Sequence, residues 1–83
     1  MAGMPDWFIW TNGAELGHAV LVAREAAGLT QTGLGTRAGV GRKLVYRLEN
    51  GLGSVRADKV LQVLAALGLM PLIVSAEAVS VLR

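Results

Sequence analysis

No cysteine occurs in this chain, so disulfides and thiolate metal ligands are excluded from its chemistry. The absence also fits a reducing, cytoplasmic compartment. A single histidine, His18, has no second ligand at helical spacing and reads as a surface or packing residue. No Ser/His/Asp set, pair of catalytic carboxylates or phosphate loop is visible, and Gly33 and Gly35 follow no strand, as a nucleotide motif requires. An enzyme is therefore not expected, nor is a cofactor or metal. No basic stretch precedes an apolar run near the N-terminus, so no secretory leader is expected. The most apolar stretch, 60–82, is interrupted by Gln62, Pro71 and Glu77, and Gly68 with Pro71 splits it into a helix and something extended. It does not read as a membrane span.

With 83 residues the chain holds one domain at most. More than half of it, 53%, is hydrophobic and the mean hydropathy is +0.50. That is high for a soluble monomer, so a second chain is expected to cover some apolar surface. The net charge is only +2, but it is unevenly placed. Arg37, Arg42, Lys43, Arg47, Arg56 and Lys59 face only Glu49 and Asp58 between positions 30 and 59, whereas the remainder is slightly acidic. A basic middle on an acidic background is the footprint of a polyanion-binding face, or simply of a solvated helix surface.

Local signals divide the chain into elements. Residues 1–10 lack a helical period and read as an arm, in which Trp7, Phe8 and Trp10 either clip onto the core or meet a partner. Asn12, with Glu15 three residues on, has capping-box spacing. Leu16, Val20, Ala23 and Ala27 then follow on one helical face, and Gly28 ends the helix. Thr30 caps a second helix, Gln31–Ala38, which Gly33 and Gly35 each weaken by about 1 kcal/mol relative to alanine. Gly39 breaks it, Val40 packs under the turn, and Gly41 opens a third helix, Arg42–Asn50. Ser54 reads as the cap of a fourth, about Val55–Leu67, with Val60, Leu61, Val63, Leu64 and Leu67 as its apolar set, closed by Gly68. Leu69–Val74 reads as a short strand that Pro71 confines to an edge or a two-stranded ribbon. Ala76–Leu82 is a last helical turn or a tail. The resulting organisation is an arm (1–10), a helical domain (11–68) and a dimerisation strand with tail (69–83).

The centre of the chain carries the strongest pattern. Leu34, Val40, Val45 and Leu48 are apolar pegs, Gly35 is small where two helices cross, and Gly39 makes a turn in which a β-carbon would be strained. The exposed face of the third helix bears Arg42, Lys43, Arg47 and Tyr46, which packing does not explain.

Gly28-Leu29-Thr30-Gln31, Leu34, Arg37-Ala38-Gly39-Val40, Arg42-Lys43 and Tyr46-Arg47-Leu48-Glu49-Asn50-Gly51 resemble the Xre/Cro-type helix-turn-helix regulators. Gly53-Ser54-Val55-Arg56 and Val63-Leu64-Ala65-Ala66-Leu67-Gly68-Leu69 are similar to the HipB-like antitoxin branch. The resemblance covers about Ala14–Val74. Gly33, Gly35 and Gly41 depart from it, standing where an acidic capping residue, an alanine and a serine cap are usual. It implies an all-α, four- to five-helix, lambda-repressor-like DNA-binding domain with a short C-terminal β-strand for dimerisation. The third helix would enter the major groove, with Arg42, Lys43 and Arg47 pointing outward together toward base edges and Tyr46 on a thymine methyl or a phosphate. Thr30 and Gln31 would stand at the phosphate-binding start of the second helix, and Asn50 and Ser54 match backbone-contacting positions while also reading as helix caps. Arg24 and Glu49 match the family's ion pair between the first helix and the end of the third. Leu69, Met70, Leu72, Ile73 and Val74 would pair with a second copy.

The expectation is a cytoplasmic, nucleoid-associated homodimer that binds a double-stranded DNA operator. It would act as the antitoxin of a HipBA-like system that represses its own operon. Its partner would be a HipA-like kinase toxin, met through Trp7, Phe8 and Trp10. The residues after Val74 are too few for a ligand-sensing domain, which favours an antitoxin or a simple repressor. The alternatives are a stand-alone phage-like or metabolic repressor, and a toxin-neutralising module that binds DNA weakly.

Overall fold

The computed structural model describes residues 8–82, which form five helices: α1 (Gly13–Ala26), α2 (Gln31–Ala38), α3 (Arg42–Glu49), α4 (Ala57–Ala66) and α5 (Ala76–Leu82). The first begins where the side chain of Asn12 accepts the backbone N–H of Glu15 at 2.9 Å. Glu15 reaches back to Thr11, accepting its N–H and its hydroxyl at 2.7 Å each. The reciprocal bond thus falls one residue earlier than the capping-box spacing suggests. Thr30 caps α2 by accepting the N–H of Gly33 at 2.9 Å. Gly39 then stands in the left-handed region at φ 74° and turns the chain into α3 within three residues. Only glycine enters that region without a steric cost.

The core follows from how these helices cross. α2 packs on α3, α1 on α3, and α2 on α4. Leu16 and Val20 from α1, Leu34 from α2, Val45 and Leu48 from α3, and Val63 and Leu64 from α4 form one buried cluster. Leu29, Val40, Val60, Leu67 and Leu69 close its edges. The pegs expected around the turn occupy this core, apart from Val40, which seals its margin.

Three expectations are corrected. No strand occurs among the described residues: 69–75 belongs to no helix or strand, and Met70, Leu72 and Ile73 are 86%, 81% and 98% exposed. A ribbon strand requires a second strand beside it, and the single chain supplies none. The fourth helix starts at Ala57, with Arg56 at the cap position and no side chain accepting the first free N–H groups, so Ser54 does not cap it. Val55 is half-buried ahead of the helix and lines a cleft with Leu16 and Val60. Leu61, placed in the apolar set of α4, lies outward and 49% exposed. The C-terminal stretch is a helix, α5, whose Ala78 N–H is accepted by the Ser75 hydroxyl at 3.2 Å.

Candidate nucleic-acid interface

The third helix is the most polarised element of the chain. Val45 and Leu48 are buried on its inner side, while Arg42, Lys43, Tyr46 and Arg47 are exposed. Its first turn is open, because Gly41 is the N-cap and offers no side chain to the free N–H groups. Unpaired N–H groups and the positive end of the helix dipole favour an anion there. The three cations do not project as one row. The Arg42 guanidinium lies over the Tyr46 ring at 6.0 Å from its centroid, within the range of a cation–π contact. Arg47 leans the other way, toward the α3–α4 loop. A β-carbon on Gly53 would approach its Nη2 to 2.5 Å, so the arginine tip would have to shift, and the left-handed backbone of Gly53 at φ 66° itself favours glycine.

Behind the face lies a buried polar cluster. Arg24 Nε donates to Glu49 Oε2 at 2.6 Å and its Nη2 to Oε1 at 3.1 Å. The third nitrogen, Nη1, donates to the Leu29 carbonyl at 2.9 Å. The side chains are 11% and 2% exposed, so the bridge is shielded from water. Its hydrogen bond to Glu49 raises the Arg24 pKa above the ordinary arginine value against the opposing effect of burial. Arg24 thereby ties the entry of α2 to the end of α3. Gln31 Nε2 also donates to Glu49 Oε1, at 3.1 Å, a bond the sequence did not announce.

Other expected residues are brought to the same side to differing degrees. Thr30 and Gln31 stand together at the start of α2. Asn50 ends α3, its Nδ2 donating to the Tyr46 carbonyl at 2.8 Å, and Ser54 is exposed in the following loop. The partner residues divide: Phe8 is half-buried, Trp10 is 42% exposed, and Trp7 lies outside the described residues.

Two further positions escaped sequence reasoning. Gly17 of α1 lies so close to the end of α3 that a β-carbon would collide with the Leu48 carbonyl oxygen and sit 2.7 Å from that of Glu49. A glycine in a helix interior costs about 1 kcal/mol, and that cost was the available signal. Gln62 of α4 donates to the Ala38 carbonyl at 3.1 Å, satisfying a carbonyl at the end of α2. Its signal was a lone amide inside an apolar helix face.

A short helix, a glycine turn and a second helix with a cationic outer face define a helix-turn-helix DNA-binding module. A family profile described as a helix-turn-helix domain matches residues 15–73, and the chain belongs to that family. No curated protein matches the chain. Membership supports a DNA-binding regulator of the Xre-like kind. No helix among the described residues is long and apolar enough to cross a membrane.

Proposed function

We propose that this protein is a sequence-specific transcriptional repressor that binds its operator as a homodimer and serves as the antitoxin of a HipBA-like operon. It has no catalytic role, and it acts in the cytoplasm at the nucleoid. The observation that carries the DNA reading is the division of α3, with Val45 and Leu48 locked in the core and Arg42, Lys43, Tyr46 and Arg47 outside. A helix anchored so firmly on one side can hold its outer side chains at fixed positions in a groove. The homodimer is supported by the exposed apolar run from Met70 to Val74, which a second copy would cover. The antitoxin assignment rests on the resemblance of Gly53–Arg56 and Val63–Leu69 to the HipB-like branch, with a HipA-like kinase as partner.

The test is binding to the duplex upstream of its own gene across a range of salt concentrations. Preferential binding with a log–log slope of about −0.9 per phosphate contact is expected. Equal affinity for unrelated duplexes would remove the repressor. Co-purification with the product of the neighbouring gene tests the antitoxin. A preparation that binds DNA but captures no such product leaves the stand-alone repressor as the correct reading.

A further inference from the structure

Glu49 has a carboxylate 2% exposed and accepts three hydrogen bonds, two from Arg24 and one from Gln31. The two arginine bonds already satisfy the charge and join α1 to α3. The third reaches the first residue of α2, on the side where a duplex would lie. An amide can be seated in two ways, and this bond selects one. With Nε2 against the carboxylate the contact is attractive, whereas the flipped amide would set its oxygen against another acceptor. No buried side-chain nitrogen or oxygen in the described residues lacks a hydrogen-bond partner, and Gln31 Oε1 makes no bond among those residues, so it is not a buried atom.

We infer that Glu49 is a positioning residue for DNA recognition, acting through Gln31. It fixes which end of the Gln31 amide is turned inward before any duplex arrives. Gln31 then presents Oε1 and its second N–H in one set order, and does not lose rotational freedom on binding. The inference rests on the DNA-binding reading above and adds to it the means by which a buried acid supports a polyanion contact.

The direction of one substitution separates this role from simple electrostatics. Removing an acid beside a polyanion should strengthen binding to every duplex. If Glu49 positions Gln31, Glu49→Gln should instead weaken binding to a duplex selected by the wild-type protein from a random pool. The loss should be about fivefold, within the range seen for coupled neighbours. The same change made together with Gln31→Met should add almost no further loss, because the amide it positions is gone. These measurements are made at a temperature at which melting curves show every variant folded. Equal or tighter binding by Glu49→Gln, or the same loss in both backgrounds, overturns the inference. A measurement on the wild-type protein covers the case in which Glu49→Gln does not fold. The two side-chain amide proton resonances of Gln31, assigned by their disappearance in Gln31→Met, should be shifted from those of a solvated glutamine. Resonances at the solvated position overturn the inference. A pool from which the wild-type protein selects nothing overturns the DNA reading and this inference with it.

Discussion

A β-carbon on Gly17 would meet backbone oxygens of α3, which cannot swing aside as a side chain can. Gly17→Ala gains about 1 kcal/mol of helix propensity but overpacks the crossing at a cost of about 1–3 kcal/mol or more. A net loss is expected, read as a melting temperature lower by several degrees, with weaker operator binding because α3 is pushed outward. Gly35 sits similarly, its added β-carbon 2.9 Å from the Val40 carbonyl oxygen, which explains why the alanine usual at this place is missing. Gly41 is the contrasting case. It has extended backbone at φ −82°, no cap bond, and open space within 4 Å of where a β-carbon would stand. Gly41→Ser should stabilise by a few tenths of a kcal/mol, raising the melting temperature by about 1–3 °C. An unchanged or lower value would show that the open turn of α3 is not a source of instability.

Between elements, the Arg24–Glu49 bridge joins α1, the entry of α2 and the end of α3. Arg24→Ala leaves a buried carboxylate held by Gln31 alone, at a cost of about 3–5 kcal/mol. Loss of the cooperative melting transition, or a drop of well over 10 °C at about 4–8 °C per kcal/mol, is expected. Arg24 has a folded pKa raised above its unfolded value, so its contribution is fully present below the unfolded value and is lost only at higher, strongly alkaline pH. The deficit of Arg24→Ala should therefore be the same at about pH 7 and about pH 9. Within α3, the DNA reading gives Arg42 and Arg47 separately testable roles. If Arg42, which lies over Tyr46, meets a base edge as proposed, its replacement by alanine should cost about 1–3 kcal/mol at one base pair. If Arg47, which lies near Gly53 in the following loop, meets a phosphate, Arg47→Ala should weaken all sequences alike and flatten the salt slope by about one. Binding curves at several salt concentrations separate the two. Helices α1 to α3 were legible in sequence because their ends are set by local chemistry: Asn12, Thr30, and glycines at 28 and 39 with positive φ. The start of α4 was not, since Ser54 looks like a cap and only the packing of Val55 shows otherwise. Among site residues, the Arg24–Glu49 pair was visible as a pattern, but the bond from Gln31 depends on how three elements meet.

For the molecule as a whole, the proposed pairing through the exposed apolar run after Leu69 is tested by the mass in solution. Sedimentation at micromolar concentration should give about twice 8.7 kDa, and charged replacements at Leu72 and Ile73 should return the protein to the monomer with its DNA affinity much reduced. A clean wild-type monomer would refute the pairing. The strand expected at 69–74 is absent from the described residues, because a ladder needs a second strand and apolar alternation alone does not supply one. The same run also bears on how long the protein lasts. A protease draws substrate from outside regular structure into its cleft, and Met70, Leu72 and Ile73 offer exposed apolar side chains on backbone that belongs to no helix or strand. Pairing with a second copy would hide them. Cleavage here should therefore slow as concentration rises, so that the lifetime of each molecule depends on how many others are present, a half-life measurable by limited proteolysis over a dilution series.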